Sequence, residues 1–153
     1  MRRPRTDFSA PAIITALMLT LCCCSGKRDE FSTFREMPES GWVYGVPVVF
    51  TPMHPADTLI TGPLYLTVRH NDTYPYANIW LEIEADGFVD TLNIRLADIY
   101  GNWTGKGHGS TKEITVNLLE KYTHHSGDTI RLRHILRTDT LKGISAVGLQ
   151  LNP

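Results

Sequence analysis

Cysteine is missing from nearly all of this 153-residue chain. Its three cysteines, Cys22, Cys23 and Cys24, lie side by side near the N-terminus. That excludes a disulfide framework and a thiol nucleophile in the remainder. An excess of one charge is missing too. Fifteen Lys and Arg against sixteen Asp and Glu give a net charge of −1, so bulk attraction to nucleic acid has no basis. The apolar run APAIITALMLTL has 12 residues, too few to span a bilayer comfortably as a permanent anchor. Helical periodicity is absent after it, except for a turn or two at LLEKYT (118–123). Neither G-x-S-x-G nor H-E-x-x-H occurs. The expectation is therefore no enzyme, no catalytic residue, no cofactor and no metal. What is present, at 42% hydrophobic content, suffices for the core of one domain.

The N-terminus reads as an export signal. Arg2, Arg3 and Arg5 form a basic start, the apolar run follows, and LCCCSG ends it. This segment resembles a bacterial lipobox, in which a Leu lies three residues before the lipidated Cys. Leu21 holds that relation to Cys24, the expected lipidation site, and Cys23 is the second choice. An ordinary secretory signal with incidental thiols is the plainer alternative. Several acyl chains on one thioether would hold the chain firmly at a membrane. The expected division is 1–24 signal peptide and lipobox, 25–33 polar tether and 34–153 one folded domain. Asp29-Glu30 in the tether resembles an export signal of surface lipoproteins, or is simply solvated spacer.

From residue 42 the hydrophobic pattern has period two. PLYLTVRH (63–70) sets Leu64, Leu66, Val68 and His70 on one face. NIWLEIEA (78–85) turns Ile79, Leu81, Ile83 and Ala85 inward and Trp80, Glu82 and Glu84 outward. Asp86-Gly87 then predicts a hairpin of type I′, which needs positive φ at both central residues. Its second arm points Leu92, Ile94 and Leu96 to the core. EITVNLLE buries Ile114, Val116 and Leu118. DTIRLRHILR aligns Ile130, Leu132, His134 and Leu136, and ISAVGLQL aligns Val147, Leu149 and Leu151. WVYGVPVVFT, broken by Pro47, suits an edge. About seven or eight such strands predict an all-β antiparallel sandwich of jelly-roll or immunoglobulin-like type.

The glycine-rich stretch ADIYGNWTGKGHGSTKE (97–113) invites a phosphate-cradle reading that its spacing refuses. Gly101 and Gly105 are one residue too close for a P-loop, Gly107 stands where Ser or Thr should follow Lys106, and a strand comes next. A turn pinned by Asp98, with Trp103 folded back as a lid, is the better account. Trp103, Lys106 and His108, with Tyr74 and Tyr76 of the corner NDTYPYANIW, form the candidate recognition surface. Glu82 and Glu84 read as a wet strand face, not a glycosidase pair. The Arg131, Arg133 and Arg137 stripe reads likewise, with anionic glycan or lipid as the alternative. His124 and His125, neighbours in a polar loop, make a poor metal pair because adjacent extended residues point apart. Four Asp-Thr-aliphatic steps, at Thr58, Thr91, Thr129 and Thr140, resemble O-glycosylation acceptors of Bacteroidetes envelope proteins, or are turn-to-strand junctions.

FREMPESGW (34–42), RHNDTYPYANIWLEI (69–83), DTLNIRLADIYGNWTGKGHGSTKE (90–113) and GISAVGLQL (143–151) together resemble the GldH family of gliding-motility-associated lipoproteins. The resemblance runs from about Phe31 to Leu151, with His108 where an apolar or aromatic residue is more usual. It implies a non-catalytic lipoprotein of the bacterial cell envelope, lipid-anchored and expected at the outer membrane. Its expected partners are other envelope proteins of a motility or secretion machine, and no nucleic acid. A glycan-binding β-sandwich lipoprotein is the alternative, with Trp103, Trp80, Tyr74 or Tyr76 stacking on sugar rings.

Overall fold

A computed structural model describes residues 31–54 and 59–152. The strands are β1 (Phe31–Glu36), β2 (Trp42–Val43), β3 (Val48–Phe50), β4 (Leu59–Asn71), β5 (Asn78–Ala85), β6 (Phe88–Arg95), β7 (Thr111–His125), β8 (Ile130–His134), β9 (Thr140–Leu141) and β10 (Ile144–Leu151). Among the described residues there is no helix. LLEKYT, the one helical candidate, is the middle of β7.

Eight strands form two four-stranded sheets, in the orders β1-β10-β4-β7 and β3-β8-β5-β6, and β2 pairs with β9 beside them. Every pairing is antiparallel. Five of the ladders are nested: β1–β10, β2–β9, β3–β8, β4–β7 and β5–β6. The chain is thus one long hairpin rolled over on itself, with β10–β4 and β5–β8 sealing the roll. That is jelly-roll topology, and it settles the choice left between jelly-roll and immunoglobulin-like order.

The core is where the alternation placed it. Leu64, Leu66, Val68, Ile79, Leu81, Ile83, Ile130, Leu132, Val147, Leu149 and Leu151 are each at most 1% exposed. Each such side chain contributes roughly 1.5–3 kcal/mol by leaving water. At the sheet edges the same alternation buries less. Ile114, Val116 and Leu118 on β7, and Leu92 on β6, are only partly covered, because neither strand has an outer neighbour among the described residues.

Four local expectations need correction. β1 begins at Phe31, so the last three residues of the expected tether are strand. Its FSTFRE sequence lacks aliphatic alternation, but β10 supplies a full ladder of partners. His124 and His125 end β7 and do not lie in a loop. The outer face of β4 is not simply wet: Thr67 is buried and shares a hydrogen bond of 2.9 Å with Thr115, while the Arg69 guanidinium covers the Phe34 ring at 4.4 Å. The Asp86-Gly87 hairpin is present, with Ala85 opposite Phe88, but it is not type I′. Gly87 has φ +77°, whereas Asn152 is the only non-glycine with positive φ among the described residues. Asp86 before Gly87 therefore gives the negative-then-positive order of a type II turn.

Candidate functional site

Strand register divides the sandwich into two ends. Phe31, Leu151 and Leu64 lie abreast at one, with the Asp86-Gly87 hairpin and the β7–β8 turn. Asn71, Thr111 and Ile144 mark the other, which carries the β4–β5 corner and the long β6–β7 loop. At about 3.3 Å per residue the six steps from Leu64 to His70 separate the two by about 20 Å.

The far end gathers an aromatic cluster. His70 lies 4.6 Å from Trp103 and 5.9 Å from Tyr74, and Tyr74 lies 5.8 Å from Tyr76, ring centre to ring centre. Tyr74 is 3% exposed, and its hydroxyl donates to the Asn78 carbonyl at 2.8 Å. Burial pushes its phenol well above the ordinary tyrosine range. Trp103 is partly buried against the core, so the indole is tucked, with Ala97 bridged to it across the loop. Of the three aromatic residues expected on a surface, Tyr74 is a packing residue, Trp103 a lid, and Tyr76 the one offered to solvent. Lys106 and His108 are exposed on the loop, and no ring contact or side-chain hydrogen bond joins them to the cluster among the described residues. Tyr74→Phe deletes the bond to Asn78 and is expected to lower unfolding free energy by about 1 kcal/mol, read by urea denaturation.

The loop is built as a pinned turn. Asp98 Oδ1 accepts from the Tyr100 and Asn102 amides at 2.8 and 2.9 Å, and Oδ2 accepts from Asn102 Nδ2 at 3.0 Å. The Asn102 side chain and backbone, then the Tyr100 and Gly101 amides, hold the Asp98 carboxyl below the usual carboxylate range. A strand, β7, follows the loop, and among the described residues no helix terminus faces it. Ile99 and Tyr100 stand at its apex, over 80% exposed.

On the outer face of β5 and β6, register creates a square that sequence order hides. Asn78 lies opposite Arg95, and Trp80 opposite Asn93. Asn78 Nδ2 donates to Asn93 Oδ1 at 2.7 Å. With Asp98 and Ile99 as one wall, Asn78, Asn93 and Arg95 line an open cleft of about 360 Å³. Asn93 and Arg95 were not among the expected site residues. The alternation in both hairpin arms, combined with the two-residue turn, was the signal that could have found them.

The charged strand faces neutralise each other. Glu82 pairs with Arg133, and Glu84 with Arg131 at 3.5 Å, directly across the β5–β8 ladder. Arg131 and Arg133 thereby carry their own counter-ions on a strand face, whereas Arg137 lies beyond the end of β8 and has no ion pair among the described residues. At the near end, His124 is buried with its Nδ1 3.2 Å from His54 Nε2, while His125 is exposed; the neighbours do point apart. Asp86, His125 and Asp128 bring their ligand atoms within 4.8 Å of one another, a grouping not foreseen. Turn geometry accounts for two of them. The His125 amide donates to Asp128 Oδ2 at 3.2 Å, and the Asp128 amide returns to the His125 carbonyl at 3.0 Å. Of the Asp-Thr steps, Thr91 is exposed on β6, and Thr129 and Thr140 are partly covered. Thr58 and Cys24 lie outside the described residues.

A jelly roll whose first strand follows a lipobox-like leader belongs to the class of β-sandwich lipoproteins. The chain belongs to the GldH lipoprotein family, whose profile matches residues 29–151. The gliding motility lipoprotein GldH of Flavobacterium johnsoniae is 26% identical over 159 residues, covering 96% of this chain and 97% of that protein. The family is one of lipid-anchored envelope proteins of the motility system and is not a known enzyme family. Among solved structures, a family 35 carbohydrate-binding module of Clostridium thermocellum aligns with TM-score 0.42 and 13% identity, covering 79% of this chain and 92% of that one. A CBM35 from Cellvibrio japonicus Abf62 gives TM-score 0.40 and 12% identity, covering 78% and 92%. These are likenesses of outline, and the strand order alone defines the fold here.

Proposed function

We propose that this chain is a non-catalytic component of the gliding-motility apparatus or a related envelope or secretion assembly, anchored in the outer membrane through Cys24. Its far end is held toward protein partners. The observation that supports this reading is the polarity of the roll. Phe31 enters at the end opposite the 97–110 loop. Seven residue-to-residue steps lead from Cys24 to Phe31, and a fully extended chain of that length reaches at most about 25 Å. An anchored domain would therefore keep its hairpin end near the bilayer and present Tyr76, Lys106 and His108 away from it. Among the described Asp-Thr steps, Thr91 is the one whose exposure best suits a glycosyl acceptor. An intact mass equal to chain plus lipid would dismiss that modification.

Photo-crosslinking the full-length protein in its own cells tests the main reading. A crosslinker at His108 is expected to give discrete protein adducts, and one at Val89, toward the hairpin end, fewer. Cys24→Ser is expected to release the protein from the membrane fraction and abolish the adducts. Unchanged membrane retention in that variant would refute the anchor, and adducts of equal yield from both positions would refute the polarity.

A further inference from the structure

We propose that the β5–β6 cleft is a binding site for an acidic glycan. Asn78, Asn93 and Arg95 line it, Trp80 stands beside it on the same strand face, and it lies on the flank of the loop end proposed above, with Asp98 and Ile99 as the shared wall. Across an antiparallel ladder, opposed side chains stand roughly 5 Å apart and same-face neighbours roughly 7 Å apart. The four side chains thus form a compact square on the scale of one sugar ring. Each corner offers a different kind of contact.

Trp80 is 40% exposed on a strand whose inward residues are all buried, so its indole is a flat apolar platform facing outward. Sugar rings present a C–H face that such a platform covers. Beside it, the Asn78–Asn93 amide pair uses one donor and one acceptor on itself. An Asn side chain carries two N–H donors and one two-lone-pair oxygen. The pair therefore keeps both donors and acceptors for vicinal hydroxyls, each of which also does both.

Arg95 supplies the charge preference. It is exposed, and among the described residues its guanidinium has no ion-pair or hydrogen-bond partner. Arg69, Arg131 and Arg133 by contrast each hold a glutamate. A planar guanidinium presents parallel N–H donors to a carboxylate. Asp98, on the cleft wall, does not pair with Arg95; its two oxygens are taken up by Tyr100 and Asn102. The cleft is open-sided, as a passing polymer chain requires, and it is a binding site only, with no bond made or broken.

The test uses full-length lipoprotein in detergent, titrated with polygalacturonate and with neutral dextran of similar length. Intrinsic tryptophan fluorescence and calorimetry supply the readouts. Polygalacturonate is expected to bind, with dextran about tenfold weaker or worse. Arg95→Gln is expected to reduce polygalacturonate binding to the dextran level, and Trp80→Ala to weaken both about tenfold. Arg131→Gln, on the same face but paired to Glu84, is expected to change neither. Matching urea midpoints establish that the variants are folded. Absence of binding to polygalacturonate, alginate and hyaluronan alike would overturn the proposal. So would equal losses from Arg95→Gln and Arg131→Gln, which would indicate diffuse electrostatics. Either result leaves the crosslinking experiment, and the reading it tests, unaffected.

Discussion

Gly143→Ala is expected to lower unfolding free energy by about 3–6 kcal/mol, against a total of roughly 5–15 kcal/mol for a domain of this kind. Gly143 sits between β9 and β10 with φ +83°. A left-handed conformation alone costs a non-glycine about 1–2 kcal/mol. The larger part is contact. A Cβ at this position would stand 2.4 Å from the Tyr74 amide nitrogen and 2.5 Å from its Cα, and both are backbone atoms with no rotamer to yield. The Asn71 amide donates to the Gly143 carbonyl at 2.8 Å, and the Tyr74 amide to the Asn71 carbonyl at 3.1 Å. Moving Gly143 away breaks this corner and disturbs the Ile144–His70 register beside it. Gly87→Ala is the control. Its φ of +77° is equivalent, but nothing lies within 4 Å of the added Cβ, so about 1–2 kcal/mol is expected. Urea midpoints of the two variants separate backbone strain from collision. Equal losses would remove the collision argument.

That corner shows what the sequence could and could not disclose. Alternation over 63–70, 78–85 and 128–137 identified the buried side chains except Leu136, which lies beyond the end of β8 and is only partly buried, because each strand has one face on the core and period two reports that directly. It could not report which strands neighbour which. The partners of β1 lie more than a hundred residues away in β10, so jelly-roll order emerges only from pairing. Edge position was equally invisible. Ile114 and Val116 look in sequence like Leu64 and Leu66, and they are less buried only because β7 has a neighbour on one side. At the sites, Tyr74, Tyr76 and Trp103 were singled out for their aromatic chemistry, and three-dimensional packing then divided them between core and surface. Asn78 and Asn93 are fifteen positions apart and meet only through the hairpin register. Gly143 drew no attention as a turn residue, since its need for glycine is imposed by Tyr74, distant in the chain.

Acidification from about pH 7 to about pH 5 is expected to destabilise the fold steeply, through histidines held neutral in the core. His70, His124 and His134 are each 0% exposed, and burial lowers all three below the ordinary value of 6.5. His134 Nε2 donates to the Trp42 carbonyl at 3.0 Å, and its Nδ1 is buried with no hydrogen-bond partner. His70 has the mirrored arrangement: Nδ1 faces the Asn71 carbonyl at 3.4 Å and Nε2 is the unpartnered atom. A proton added to either ring would sit on a nitrogen with nothing to accept from it, under Trp42 in one case and Trp103 in the other. The unfolded chain takes up these protons near pH 6.5, while the folded chain resists them to lower pH. Stability is therefore full above 6.5 and is lost as pH falls from there toward the lowered folded values. Each such histidine contributes a slope of at most about 1.4 kcal/mol per pH unit, and the window lies above the range near 4 where carboxylates ordinarily titrate. Urea denaturation at half-unit intervals reads the slope directly. His134→Gln keeps a donor for the Trp42 carbonyl but cannot titrate. It is expected to be less stable than the parent at pH 7 and to show a shallower pH dependence. A stability that stays flat or rises between pH 7 and pH 5 would mean that the buried rings find acceptors on protonation, and it would refute the orphaned-nitrogen account of His70 and His134.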